Sequence, residues 1–421
     1  MRILLYSHDS YGLGHIQRTL AVARRLAHDF PRASQLLVTG SLQSASFDLP
    51  ERLDYLKLPA ISKRSSGAYR SRVLRLPVEA VLSFRESLIF DAARHFEPDV
   101  VLVDKAPVGV EGELRRSLYH LKARRHRPKL VLGMRDIEDE ASVVRAEWRA
   151  HGVYPVLDDV YDAILLYGTR AIYDPVREYG LSPRAAAKVV PCGYVARPAP
   201  ARPRDQLRRE LNVETGRLVV VTAGGGGDGF ALVRAYLDML DAYGAREPRF
   251  DSVVVLGPLM PSAKRALLRA RARAGSSLTL LDFTTDLYSY LGAADLIVSM
   301  GGYNSVCEIL TLRKRAILVP RVRPRTEQLI RAERLRAREL ARMVHPDDLT
   351  PDRLFAEIAS GLADGGPPAA AAEVGLEMDG AGNASRAIAR ILDRKGGGVT
   401  TEAVTTGTAT TGAVRVSRRE A

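Results

Sequence analysis

Short runs of branched apolar residues alternate along the chain with longer amphipathic stretches, and the alternation occurs twice. In the first half, residues 2–6, 35–40, 53–58, 99–104, 130–134, 163–167 and 189–192 are apolar runs of strand length. Several carry no polar alternation, as in DVVLVD, and a strand covered on both faces reads this way in a parallel sheet. Between them lie helical patterns. After a loop over residues 7–14, Ile16, Leu20, Ala23 and Leu26 recur on one side of a predicted helix that runs to about residue 27. Residues 63–94 read as a basic helical segment interrupted near Pro77. ARPAPARPR, over residues 196–204, has no periodicity and reads as a linker.

The second alternation starts at Leu218. Apolar runs at 253–256, 278–281, 296–299 and 316–320 are separated by amphipathic stretches, with helices predicted to about residue 361 and over 384–394. The remainder is Gly-, Thr- and Ala-rich, has no core-forming pattern, and is expected to be disordered. Two β/α alternations predict an α/β chain with two Rossmann-like domains facing across a cleft. The expected limits are residues 1–196, a linker at 197–205, a second domain at 206–394 and a tail at 395–421.

At 421 residues the chain has room for two full cores. Its two cysteines, Cys192 and Cys307, make no disulfide framework and suit a reducing, cytoplasmic setting. The start, MRILLYSHDS, reads as a first strand and not as a signal peptide, and no apolar run is long enough to span a bilayer. The net charge of +13 comes from arginines spread over many helices, without an RNA-binding signature, so specific nucleic-acid binding is not expected. A peripheral contact of the basic N-terminal helices with an anionic membrane face is the alternative use of that charge.

Five stretches carry candidate chemistry. Gly12 and Gly14 bracket a strand-to-helix turn that ends in His15. A dinucleotide fingerprint would need a third glycine at position 17, which is Gln17. Asp104 closes an apolar strand, and the carboxyl ends of parallel strands line the ligand crevice. Asp136, Glu138, Asp139 and Glu140 read as the acidic start of a helix, and no metal site is expected from their spacing. Gly225, Gly226 and Gly227 belong to VVVTAGGGGDGF, whose Phe230 stands where a P-loop needs lysine. Its amides suit a pyrophosphate instead. In LIVSMGGYNSVCEIL, Gly301 and Gly302 end a strand, Asn304 and Ser305 open a helix, and Glu308 follows one turn on. Glu327 and Gln328 end the loop after the next strand. Singly, these are ordinary turns, caps and solvated acids; order and spacing join them.

Gly302 through Ser305, Glu308, Pro320 and Glu327-Gln328 resemble the donor signature of the GT-B glycosyltransferases that use UDP-sugars. More narrowly, GMRDIEDE, CGYV and SMGGYNSVCEIL are similar to a group of bacterial glycosyltransferases distantly related to the lipid II-forming N-acetylglucosaminyltransferase. The resemblance implies a hexosyl transfer from a nucleotide sugar, the only co-substrate, to an unknown acceptor hydroxyl, without metal or other cofactor. It implies phosphate contacts at Asn304-Ser305 and at the glycine loop, ribose at Glu308, sugar at Glu327-Gln328, and a uracil edge near Phe283 and Thr284. It implies His15 as the base and Asp104 as the residue that orients it, with Gly12 and Gly14 in the acceptor loop. Met300 stands where many members carry a phosphate-binding histidine, so an arginine or backbone amides must serve there. A sugar-nucleotide 2-epimerase of the same architecture, or a nucleotide-sugar-binding protein without catalysis, are the alternatives.

Overall fold

The computed structural model describes residues 1–8, 14–63, 69–196, 202–213, 216–244, 246–272, 277–364, 373 and 375–393. Gly12, most of the expected linker and the expected tail lie outside the described residues.

The strands of the first half are β1 (Arg2–Ser7), β2 (Ser34–Thr39), β3 (Leu53–Lys57), β4 (Ile61–Lys63), β5 (Tyr69–Ser71), β6 (Val100–Asp104), β7 (Lys129–Arg135), β8 (Ala163–Tyr167) and β9 (Val189–Pro191). Seven of them form a sheet in the order β3-β2-β1-β6-β7-β8-β9, parallel throughout. The second half adds β10 (Leu218–Thr222), β11 (Asp251–Val255), β12 (Leu278–Leu281), β13 (Leu296–Ser299), β14 (Arg315–Leu318) and β15 (Arg342–Met343). They form a second parallel sheet in the order β12-β11-β10-β13-β14-β15. The all-apolar runs explain this: β6, β8 and β10 are buried at every position, as helices on both faces require.

Each sheet reverses its winding at one place, between β1 and β6 in the first and between β10 and β13 in the second. A crevice opens outside the carboxyl ends of the strands at such a switch point. The expected site stretches follow these four strands: His15 after β1, Asp104 at the end of β6, the glycine loop after β10, and Gly301-Gly302 after β13.

Three expectations are corrected. The segment 63–94 is not helical throughout. β4 and β5 pair antiparallel, and the helix Val78–Phe96 begins only after Pro77, whose fixed φ and missing N–H suit the residue before a helix. Glu327 and Gln328 are not at a loop end but open the helix Glu327–Arg336. The final helix, Gly380–Asp393, was expected in the second domain. It packs on helix Gly14–Asp29 and β8 of the first sheet, with Asn383 Nδ2 donating to the Cys192 carbonyl at 2.8 Å. Its apolar face is buried at Ala384, Ala387 and Ile388, and that stripe fits either sheet; only the fold decides which one it covers.

Candidate active site

A cleft of about 1550 Å³ separates the two sheets, and both switch points open into it. On the first-sheet side, His15 and Arg18 sit three residues apart in helix Gly14–Asp29, so they share a face. Both reach Asp104. His15 Nδ1 lies 2.8 Å from Asp104 Oδ2, while Arg18 donates from Nε to Oδ1 and from Nη2 to Oδ2, each at 2.8 Å. Arg18 Nη2 also stands 2.9 Å from His15 Nδ1. Two donors do not bond each other, and the carboxylate is the stronger acceptor. Nδ1 therefore keeps its proton and Nε2 keeps its lone pair.

The His15 side chain is 14% exposed and the Asp104 carboxylate 5%. Burial pushes the His15 pKa down to about 4, against the pull of Asp104, and Arg18 adds to the depression. The imidazole is thus neutral at physiological pH. Burial alone would raise Asp104, but Arg18 and His15 override it and hold the carboxyl well below its usual range. The His8 ring packs edge-on against His15, with centroids 5.5 Å apart, and burial keeps it neutral as well.

On the second-sheet side, helix Tyr303–Thr311 starts at the cleft with Gly302 as its N-cap, and no side chain caps it. Gly302, Asn304, Ser305 and Glu308 line the cleft. Glu308 does so while only 2% exposed, so its carboxylate is a buried, positioned group and not a solvated one. Gly225, Phe283, Thr284, Glu327 and Gln328 line the same space, and Phe283 is 44% exposed. Arg321 stands among them. It donates from Nη1 to Asp228 Oδ2 at 3.0 Å and from Nη2 to Glu327 Oε1 at 2.5 Å, tying the glycine loop to the acid-amide pair. Gln328 Oε1 accepts from the Arg321 backbone N–H at 2.9 Å.

Gly226, Gly227 and Gly301 are not among the residues that line the cleft. Gly226 has φ +87°, and a Cβ there would fall 2.3 Å from the Leu256 carbonyl oxygen. Its glycine lets the loops after β10 and β11 touch. Gly301, at φ +72°, offers its carbonyl to Arg331 Nη1 at 3.2 Å. Met300 packs against the second apolar core.

The two sides meet directly. Asn304 Nδ2 donates to the Gly14 carbonyl at 3.1 Å and to Gln17 Oε1 at 3.2 Å. Tyr303 OH accepts from the Val195 N–H at 3.1 Å, and the Arg18 guanidinium lies 5.2 Å from its ring centroid. The acidic cluster precedes the helix Ala141–Ala150 and is spent on separate partners. Asp136 accepts from Tyr194 OH at 2.7 Å and Glu138 from Arg135 at 2.7 Å. Asp139 accepts from the Thr326 N–H, the Thr326 hydroxyl and Arg325 Nη1, at 2.7, 2.9 and 3.0 Å, across the cleft. Among the described residues no group of three or more His, Cys, Asp or Glu is arranged to hold a metal ion.

Sequence reasoning did not find Arg18, Lys105, Arg135 or Arg321. The spacing of Arg18 from His15 was a usable signal; the others are drawn from a chain rich in arginine, where one cation does not stand out.

Residues 218–375 match the family model described as Glycosyltransferase family 28 C-terminal domain. An uncharacterized glycosyltransferase of Methanopyrus kandleri is 27% identical over 240 residues, covering 56% of this chain and 62% of that protein. The UDP-N-acetylglucosamine--N-acetylmuramyl-(pentapeptide) pyrophosphoryl-undecaprenol N-acetylglucosamine transferase of Bdellovibrio bacteriovorus is 36% identical over 83 residues, 20% of this chain and 23% of that one. The chain thus spans less than two thirds of either relative. Among solved structures, the glycotransferase of kitacinnamycin superposes with a TM-score of 0.61 at 16% identity, covering 93% of this chain and 99% of the other. The UDP-GlcNAc 2-epimerase of Neisseria meningitidis, bound to UDP-GlcNAc, superposes at 0.55 with 13% identity, covering 94% and 100%. These likenesses show the GT-B fold.

Proposed function

We propose, from the match of residues 218–375 to the Glycosyltransferase family 28 C-terminal domain and from the GT-B fold, that the protein transfers a hexosyl group from a UDP-sugar to an acceptor hydroxyl. One observation carries the reading. A neutral imidazole backed by a carboxylate faces, across one cleft, a helix N-terminus and a buried glutamate at the opposite switch point. In this reading the second sheet holds the donor. The N–H groups that open helix Tyr303–Thr311 and the glycine loop receive the diphosphate, Glu308 takes the ribose hydroxyls, and Glu327 and Gln328 take the sugar. Arg321, already between Asp228 and Glu327, supplies a cation on that side.

The acceptor lies on the first-sheet side. His15 Nε2 removes the hydroxyl proton, the oxygen bonds to the anomeric carbon, and the bond from that carbon to the diphosphate breaks. The diphosphate leaves with the electron pair. Asp104 steadies the imidazolium and does not take the proton. No step here calls on a metal, because amides and guanidinium groups answer the leaving charge.

Incubation with a panel of nucleotide sugars, with and without candidate acceptors, tests this. UDP release that depends on acceptor supports transfer. Interconversion of the sugar without UDP release supports the epimerase alternative, which shares the fold, and binding without turnover ends both.

A peripheral membrane contact is part of the proposal. Val73, Leu74, Leu76 and Phe84 are exposed, at 61%, 39%, 50% and 51%, and the exposed Arg70, Arg72 and Arg75 lie among them. Apolar and cationic groups together suit an anionic bilayer surface. Among the described residues no helix is long and apolar enough to cross a membrane. Sedimentation with vesicles containing anionic lipid is expected for the wild type, and lost in the Val73→Ser, Leu76→Ser double variant. Equal sedimentation of both proteins would remove this surface from the proposal.

A further inference from the structure

Arg331 is a buried cation set behind the turn that opens helix Tyr303–Thr311. It lies in helix Glu327–Arg336, is 1% exposed, and is not among the residues that line the cleft. Its Nη1 donates to the Gly301 carbonyl at 3.2 Å, and its guanidinium stands 5.8 Å from the Tyr303 ring centroid. Nε and Nη2 have no hydrogen-bond partner among the described residues. The carboxylates of Asp136 and Glu327 feel its charge, and both are held by other groups. Asp136 accepts from Tyr194 OH at 2.7 Å and from the Ile137 N–H at 2.8 Å, and Glu327 accepts from Arg321. Burying a guanidinium with two of its nitrogens unmet is costly, and such a group calls for a reason.

The turn supplies one. The Gly301 carbonyl and the Gly302 N–H belong to one trans peptide, so they point in opposite directions. With the carbonyl drawn back to Arg331, the N–H is turned away from it. Gly302 lines the cleft, and a Cβ built on it meets no atom beyond its chain neighbours within 4 Å, so there is open space beside this peptide. Met300, two positions earlier, packs against the second apolar core, and its thioether donates no hydrogen bond. A charged donor on a carbonyl polarises the peptide and strengthens the N–H at its other end.

We propose that Arg331 is a positioning residue for the donor diphosphate: through the Gly301–Gly302 peptide it aims and strengthens the Gly302 N–H toward a phosphate oxygen, without touching the nucleotide itself. This rests on the reading that the second sheet holds a UDP-sugar. The buried charge adds to the effect, because little water screens it. The same N–H then meets the growing charge as the diphosphate leaves.

Calorimetry on the full chain with UDP, and with uridine by displacement of UDP, tests this, since uridine lacks the phosphates. Arg331→Met should lower UDP affinity about tenfold and leave uridine affinity within about twofold of the wild type. Arg331→Lys keeps the charge and a donor, and should recover part of the loss. Gly302→Pro removes the N–H itself at a φ of −59°, which proline adopts. It should lower UDP affinity too, and adding Arg331→Met to it should cost little more, because the arginine acts through that N–H.

Equal losses for UDP and uridine in Arg331→Met would reduce Arg331 to packing and overturn the proposal. Full additivity of the two changes, or wild-type UDP affinity in Arg331→Met or Gly302→Pro, overturns it as well. Folding is checked by circular dichroism. If Arg331→Met fails to fold, the same cycle run with Arg331→Lys decides, its smaller loss of UDP affinity disappearing in the Gly302→Pro background if the proposal holds and persisting if it does not. A wild type that binds no UDP ends the donor reading and this inference with it. A wild type that binds UDP no better than its variants ends this inference alone.

Discussion

His15 shares a carboxylate with an arginine, and that sharing sets its chemistry. In a simple His–Asp pair the acid would raise the imidazole pKa; here Arg18 occupies Asp104 on both oxygens, and burial carries the His15 pKa down to about 4. The base form is then present at every pH above that value and is lost only as pH falls through it. We expect kcat/KM to hold flat down to about pH 5 and to fall with a midpoint near 4, not near 6.5. A pH–rate profile of the free enzyme checks this; a limb at the ordinary histidine value would mean that the buried geometry does not describe the active state. His15→Ala should slow the chemical step by about 10²–10⁴-fold with UDP affinity nearly unchanged. Full single-turnover activity in a folded His15→Ala protein would end the base assignment. Asp104→Asn is harsher than the pair alone suggests. It also strands Arg18, and removing one partner of a buried ion pair costs about 3–5 kcal/mol, so melting temperature has to be measured beside rate. Asp104 was legible because it ends an apolar strand. The spacing of Arg18 from His15 places the two on one helix face, but its hold on Asp104 is visible only when β6 is placed beside β1.

At the scale of the element, helix Tyr303–Thr311 shows what periodicity carries and what it leaves out. The strand, double glycine and helix start are local patterns, and they stand where the sequence puts them. The burial of Glu308 is not local, since it lines a cleft together with residues from both halves of the chain. As a positioned carboxylate it should form charge-assisted bonds worth roughly 1.5–3 kcal/mol with a ribose. Glu308→Ala is expected to weaken UDP binding by about one to two orders of magnitude, read by calorimetry. Unchanged affinity removes it from the donor site. Gly226 is a different case. In the sequence the loop suits a pyrophosphate, yet this glycine meets the Leu256 carbonyl and not the cleft, so Gly226→Ala should lower the melting temperature by forcing two loops apart. A Gly226→Ala protein as stable as the wild type would contradict that packing. The basic stretch before Val78 misled because its arginines allow helix and strand alike; pairing between β4 and β5 decided.

At the scale of the molecule the contacts that matter cross the cleft, and they were the least legible. An acidic run before a helix reads as a dipole effect, but Asp139 turns outward to hold the opposite side. It accepts the Thr326 N–H, the Thr326 hydroxyl and Arg325 Nη1, immediately before Glu327 and Gln328. Glu147 holds Arg325 from the same side at 2.6 Å. The acid-amide pair assigned to the sugar is thus set in place by the domain assigned to the acceptor. Donor binding and closure are then linked: if only a fraction of molecules is closed, apparent affinity falls by that fraction. Asp139→Ala removes the shared acceptor and leaves the Thr326 N–H without it, which shifts the population toward an open cleft. With closure opposed by about 1.5–3 kcal/mol, donor affinity should fall about ten- to a hundredfold. Asp139→Asn keeps an acceptor oxygen and should do part of that damage. Small-angle scattering separates this from a local packing role. The alanine variant should have a larger radius of gyration than the wild type without nucleotide, and the difference should shrink at saturating UDP-sugar. A lower melting temperature with an unchanged radius in both states would show that Asp139 only braces its own loop. In that case closure is held elsewhere, at Asn304 with Gly14 and Gln17 or at Tyr303 with Val195.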